Sequence, residues 1–237
     1  IGRTDWDEAC TKEINPRVQY HFCNESLRDS FYSGNWEYQN CEKHSIFMSQ
    51  AATPIKGLHF MLRAMPEILK NYPDAHLYIA GNDLTKTDSL YGKLKISSFA
   101  KYIKRLISEY NLEEKVTFTG SLTEQKMKER FLKSNVFVSP STIENSPNSL
   151  GEAMLLGVPC ISSDVGGVKN MLVHNLEGYI YQADAPYMIA YYVKKVFNDA
   201  DCALIISKNA KSHAGKTHNR DKNLKMLLKI YRELYEQ

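Results

Sequence analysis

From His44 onward, short apolar runs alternate with longer stretches that carry apolar residues on one helical face. Ser45-Ile46-Phe47-Met48-Ser49-Gln50 reads as a strand. A loop, Ala51 to Lys56, leads into a helix whose Leu58, Met61, Leu62, Met65, Ile68 and Leu69 follow i, i+3, i+4, i+7 spacing. Tyr72-Pro73-Asp74 ends that helix. The alternation continues. Strands are expected at His76 to Gly81, Val116 to Gly120, Val136 to Ser139, Pro159 to Ser163 and Gly178 to Tyr181. Helices are expected near Ser97 to Tyr110, at Thr123 to Ser134 behind a Thr or Ser cap, and at Leu150 to Leu156. From Pro186 helices dominate, and the last carries Leu224, Leu227, Leu228, Tyr231 and Leu234 on one side. Repeated strand–helix units with short apolar strands predict an α/β fold, a parallel sheet with helices on both faces. Ligands of such sheets bind beyond the carboxyl ends of the strands.

Residues 1–44 break this pattern. They are rich in aromatics (Trp6, Tyr20, Phe22, Phe31, Tyr32, Trp36, Tyr38) and show no clear period. They read as a linker and docking segment lying against the sheet domain or against a missing part of the protein.

Composition narrows the picture only modestly. A hydrophobic fraction of 43% is that of a globular chain with a real core, and a net charge of +3 is too small to argue for nucleic acid. Lys101, Lys104 and Arg105 read as the wet face of a helix rather than a binding patch. The five cysteines, at 10, 23, 41, 160 and 202, show no metal-like spacing, and the seven histidines no HxxxH pattern, so no metal is expected. Reduced thiols and a cytoplasmic location fit best, with the inner face of the membrane as an alternative. No run of ~20 apolar residues is present, and no signal peptide is visible. The chain opens on Ile1 rather than Met, as a fragment would.

The chemistry concentrates in Glu144-Asn145-Ser146-Pro147-Asn148-Ser149-Leu150-Gly151-Glu152, a polar loop between a strand and a helix. Asn148, Ser149 and Leu150 stand where the helix begins, and their free N–H groups could face phosphate oxygens. Simple capping by Asn148 or Ser146 is the alternative. Glu152 could accept hydrogen bonds from a vicinal diol such as ribose, and Ser149-x-x-Glu152 also fits a capping box. Glu144 has no helical partner and lies beside the expected ligand, or is a solvated loop acid. Lys56-Gly57 stands at the first strand-to-helix junction. A Lys is unfavourable at a helix start unless a bound anion such as a diphosphate answers it; alone, a solvent-facing Lys is the commoner case. Gly120 would let backbone approach a flat base, and Asn82 could reach a ligand. Gly166-Gly167 suits a tight turn. No GxGxxG, Walker A or GxSxG motif is present.

Lys56-Gly57, Glu144-x7-Glu152, Gly157-Val158-Pro159-Cys160-Ile161 and Val165-Gly166-Gly167 together resemble family-four retaining glycosyltransferases of the GT-B fold, over roughly residues 45–200. The resemblance implies a Rossmann-like, nucleotide-sugar-binding carboxyl-terminal domain at 45–200, an interdomain linker at 1–44, and C-terminal helices at 201–237. The last helix, near Asn219 to Gln237, would cross towards an absent N-terminal domain. It implies hexose transfer from a nucleoside diphosphate sugar to a saccharide or lipid-linked acceptor, without a metal or other cofactor. Lys56 would neutralise the donor diphosphate, Asn148 and Ser149 would bind it through N–H groups, Glu144 would sit near the transferred sugar, and Glu152 would hold the ribose. Two departures stand out. The family's Arg five residues before the Lys is Ala51 here, with Gln50 beside it, so one phosphate contact is missing or supplied elsewhere. The Gly-Phe-Gly after the first Glu reads Asn145-Ser146-Pro147. The rival readings are a nucleotide-binding module without catalysis of its own, and a sugar-nucleotide epimerase of related architecture.

Overall fold

The computed structural model describes residues 1–86 and 97–236. Six strands form one sheet: β1 (Ser45–Met48), β2 (His76–Ile79), β3 (Val116–Phe118), β4 (Val136–Ser139), β5 (Cys160–Ser163) and β6 (Tyr179–Tyr181). Their order is β3-β2-β1-β4-β5-β6, and every pairing is parallel. Phe47 stands opposite Tyr78 on one side and Phe137 on the other. The central strands β1, β4 and β5 are buried at every position. That burial explains why they read as continuous apolar runs rather than as an alternation: both faces of the sheet are covered.

Among the described residues the helices are α1 (Asp5–Ile14), α2 (Leu58–Leu69), α3 (Ser98–Glu109), α4 (Glu124–Lys133), α5 (Asn148–Leu156), α6 (Pro186–Asn198), α7 (Ala200–Thr217) and α8 (Arg220–Tyr235). None is long and apolar enough to cross a membrane. The predicted stripe of α2 faces inward, with Leu58, Met61, Leu62, Met65 and Ile68 fully buried. Ser97, Thr123, Asp199 and Asn219 cap α3, α4, α7 and α8 through their side chains. Part of the polar connection expected between Gly81 and Ser97, and the Gln237 end of the last helix, lie outside the described residues.

The chain reverses its direction of winding between β1 and β4, so the loops after these two strands flank an open crevice at the carboxyl edge of the sheet. Both loops carry the residues singled out above.

Residues 1–44 do more than link. Thr4 caps α1, and Asp5, Asp7 and Glu8 fill its first turn. Further along, Phe31 is fully buried against Phe131, ring centroids 5.9 Å apart, and Phe131 meets Phe47 and Phe137 in turn. Trp36 is also buried; its indole N–H donates to the Ser134 carbonyl at 2.7 Å. Burying side chains of this size contributes about 1.5–3 kcal/mol each. This segment therefore completes the core on the α4–α5 side. In α8 only Ile230 is buried, while Leu224, Leu228, Tyr231 and Leu234 are exposed.

Candidate active site

The crevice between the β1 and β4 loops holds a cavity of about 420 Å³. Lys56, Glu144, Asn148, Ser149 and Glu152 all line it. Residues 88 and 96 positions apart in the chain thus share one wall because β1 and β4 are neighbours.

Lys56 ends a short 3-10 turn, Pro54–Lys56, and Gly57 begins α2 with φ +74°. The Lys56 ammonium donates to Glu144 Oε1 at 2.6 Å, and the Ser141 hydroxyl donates to the same oxygen at 2.8 Å. Glu144 is therefore no solvated loop acid: its side chain is 14% exposed and held by two donors. Gly57 does not line the cavity. A Cβ there would fall on the Pro140 carbonyl, so this glycine lets the acidic loop lie directly on the start of α2. Gly166 and Gly167 act alike on the other side. Cβ atoms there would strike the carbonyls of Glu144 and Asn145, and Gly167 N–H donates to Glu144 O at 3.3 Å. The tight turn expected at these glycines is also a seat for the loop. Asn145 is fixed from the amino-terminal segment: it donates to Asp7 at 2.7 Å and accepts from the Thr4 hydroxyl.

Helix α5 starts at Asn148, two residues earlier than the sequence suggested, with Pro147 as N-cap. No side chain caps it. Ser146 instead donates to Met171 Sδ, and Asn148 Oδ1 accepts from Arg3. The N–H groups of Leu150 and Gly151 turn back to Pro147 O, which leaves those of Asn148 and Ser149 as the ones without a helical acceptor. Leu150 itself is fully buried, so it offers the site no side chain. An uncapped helix start carries partial positive charge into the cavity.

Glu152 does not close a capping box with Ser149. Its carboxylate takes both donors of a fork, Arg28 Nε and Nη2, at 2.7 Å each. The Glu152 side chain is 5% exposed and Arg28 43%. The hydrogen bonds that Arg28 donates to Glu152 raise the already high guanidinium pKa further, so Arg28 is a permanent cation. Its guanidinium also rests over the Phe31 ring, 4.6 Å from the centroid.

Arg28 is the residue that sequence reasoning missed. Glu25, Ser26, Leu27 and Arg28 form a strap along the cavity. The strap is held from below by Tyr32, whose hydroxyl accepts from Leu27 N–H and donates to the His218 carbonyl. His218 in turn is 2% exposed and donates from Nδ1 to the Glu25 carbonyl at 2.8 Å. Burial lowers the His218 pKa, so the ring is held neutral under the strap. Nothing periodic marks residues 25–28, and Arg28, flanked by Leu27 and Asp29 in a segment without helical or strand pattern, carries no local signal of its role.

Two expected residues fall elsewhere. Asn82 and Gly120 follow β2 and β3, strands that lie away from the β1/β4 crevice, and neither lines the cavity. Gly120 has φ +73° with open space around it. Ala51, which stands where the resemblance implies an Arg, is buried, while the neighbouring Gln50 lines the cavity. Among the described residues no three His, Cys, Asp or Glu side chains converge as a metal would require.

The cavity's charges are balanced. Lys56 pairs with Glu144, Arg28 with Glu152, and Arg3 with Glu25. Each acid has its own cation, and the helix start adds N–H donors that belong to no pair.

Comparison with known proteins agrees with this architecture. Over 194 residues, 82% of the chain, it is 28% identical to an uncharacterized glycosyltransferase of Methanocaldococcus jannaschii, of which it covers 46%. The sucrose-phosphate synthase of Thermosynechococcus elongatus superposes with a TM-score of 0.81 over 99% of this chain and 58% of that one, at 20% identity. Anabaena HepE, solved in complex with UDP-glucose, gives 0.68 over 83% of this chain and 50% of that one, at 19% identity. The chain spans less than half the length of the curated relatives it matches first. Residues 38–213 match the family model for glycosyl transferases group 1, and with three quarters of its length inside that match the chain belongs to this family.

Proposed function

We propose that this chain is the donor-binding half of a retaining glycosyltransferase that moves a hexose from a nucleoside diphosphate sugar to a saccharide or lipid-linked acceptor. The observation that carries the reading is the meeting of Lys56, Glu144, the uncapped start of α5 and Glu152 around one cavity. The diphosphate lies at the N–H groups of Asn148 and Ser149, with Lys56 beside it. Glu152 holds the ribose hydroxyls. Glu144 stands near the transferred sugar and the departing phosphate. HepE in complex with UDP-glucose supports the choice of a nucleotide sugar as ligand class.

Because every acid in the cavity already has a cation, donor binding is an exchange of partners. Lys56 and Arg28 turn from their carboxylates towards phosphate, and Glu144 and Glu152 are released to accept from sugar hydroxyls. Arg28 takes the place of the missing Arg at Ala51. The developing charge on the leaving diphosphate is met by two cations and a helix start rather than by a metal ion. Acceptor-side groups belong to a part of the protein outside this chain, so the chain alone binds nucleotide without turning it over.

Calorimetric titration of UDP and GDP tests the site. Lys56→Ala and Glu152→Ala are each expected to weaken binding by about 1–3 kcal/mol, the range of a charged hydrogen bond. Glu144→Ala, assayed in the full-length protein, is expected to lower turnover more than nucleotide affinity. Unchanged affinity in both Lys56→Ala and Glu152→Ala would remove the model.

A further inference from the structure

Along the edge strand β6, between the 164–174 connection and the first turns of α6, lies a second cavity of about 640 Å³. None of its residues serves the site above. Tyr181, the last residue of β6, lines it. This residue is 3% exposed, yet its hydroxyl has no hydrogen-bond partner. A buried hydroxyl without a partner is a costly thing to keep unless something else answers it. Burial also pushes its pKa well up, so the group is a neutral O–H at any physiological pH.

His174 supplies the next polar group. Its Nδ1 accepts from the Ile180 backbone N–H at 2.9 Å. A backbone N–H can only donate, so in the neutral ring the hydrogen sits on Nε2. That Nε2–H reaches the Tyr192 hydroxyl only at 3.5 Å, the outer limit of a hydrogen bond, and is open to a better acceptor. Aromatic faces form the walls. Tyr192 is locked by stacking on Tyr179, centroids 4.7 Å apart, and Tyr187 stands 67% exposed at the mouth. The charged residues of the lining, Asp164 and Lys169, are paired to each other at 2.7 Å.

These features choose a ligand chemistry. An ion would have to break the Asp164–Lys169 pair. A purely apolar ligand would leave the Tyr181 hydroxyl and the His174 N–H unanswered. A sugar ring satisfies both demands, with C–H faces for the aromatic walls and hydroxyls for the phenol and imidazole. We propose that the cavity bounded by Tyr181, His174, Tyr187 and Tyr192 binds a neutral saccharide, at a place apart from the diphosphate pocket. The inference goes beyond the donor reading and does not depend on it.

The test uses the folded chain and four probes: the methyl glycosides of glucose, galactose and N-acetylglucosamine, and cellobiose. Binding is followed by saturation-transfer NMR and calorimetry, with and without UDP. At least one probe is expected to bind with an affinity that UDP does not alter. Tyr187→Ala, at an exposed position, is expected to weaken it about tenfold. Tyr181→Phe is expected to weaken it to a similar degree while leaving the melting temperature unchanged or higher, because it removes a hydroxyl with no partner in the protein. A merely structural tyrosine would not separate those two readouts. Lys56→Ala is expected to leave sugar binding untouched. The proposal is overturned if none of the four sugars binds, if UDP displaces the bound sugar, or if Tyr187→Ala and Tyr181→Phe both bind as the parent does.

Discussion

Gly57 and Gly120 offer a matched pair of perturbations. Their φ angles are +74° and +73°, so any L residue placed at either meets the same left-handed strain. That strain costs about 1–2 kcal/mol. Their surroundings differ. Around Gly120 there is nothing within 4 Å of where a Cβ would stand, while at Gly57 the Cβ would overlap the Pro140 carbonyl. That carbonyl cannot retreat freely, because the loop behind it is bound through Thr142 N–H to the Ile55 carbonyl at 2.8 Å. Forcing extra volume into such a contact adds about 1–3 kcal/mol. Gly120→Ala is therefore expected to cost about 1–2 kcal/mol, and Gly57→Ala about 2–5 kcal/mol, at least about 1 kcal/mol more than its counterpart. For a chain of this size that is a fall in melting temperature of roughly 2–8 °C against roughly 4–20 °C. Urea titration followed by fluorescence measures both free energies directly. Pro140 also opens the loop that carries Glu144, so Gly57→Ala should weaken nucleotide binding beyond its effect on stability, and Gly120→Ala should not. Equal destabilisation by the two substitutions, within about 0.5 kcal/mol, would refute the claim that Gly57 is present for the close approach of the loop.

Arg28→Met leaves the almost fully buried Glu152 carboxylate without its partner. The exposed half of Arg28 tempers the loss to about 1–3 kcal/mol in urea titration, and adding Glu152→Leu should recover part of it. Trp36→Ala opens a cavity between Ser134 and Leu156 and loses an indole hydrogen bond, so it is expected to cost about 3–5 kcal/mol on the same assay. The pH dependence follows from His59, His76 and His218, whose pKa values burial lowers from the ordinary 6.5. The folded form resists protonation that the unfolded chain accepts, so their contribution is complete above pH 6.5 and is lost as pH falls from there through the depressed folded values. Urea midpoints at pH 7 and pH 5 check this; a midpoint that rises at pH 5 would contradict it.

The sheet was legible because its strands are buried on both faces and so appear as uninterrupted apolar words between polar loops. Glu144, Glu152 and Lys56 were legible because their spacing matches a known pattern, and parallel pairing of β1 with β4 brings that spacing together. What the pattern could not show is who pairs with whom. Arg28 and Glu152 are 124 positions apart. The pairing arises from the fold of an aromatic segment with no period, and the capping box that the local sequence suggested loses to it. A bidentate guanidinium satisfies a buried carboxylate better than the helix's own N–H groups do. The signal for α1 was present in Thr4-Asp5-Trp6-Asp7-Glu8, a capping residue followed by acids, and lay hidden only because no apolar stripe follows it. The stripe of α8 was read correctly as a stripe; burial does not follow from periodicity when nothing among the described residues covers it.

The amino-terminal strap bears on how such proteins can be recombined. The match to the family begins at residue 38, yet Phe31 and Trp36 fill the interior and Arg28 lines the β1/β4 cavity from before that border. A graft that moved only the recognisable segment into another host would leave behind a ring, an indole and a guanidinium. The transplanted piece would arrive with a hole in its flank and an acid stripped of its counter-charge. The structural unit is thus larger than its signature, and a crossover that keeps these contacts must fall upstream of Thr4.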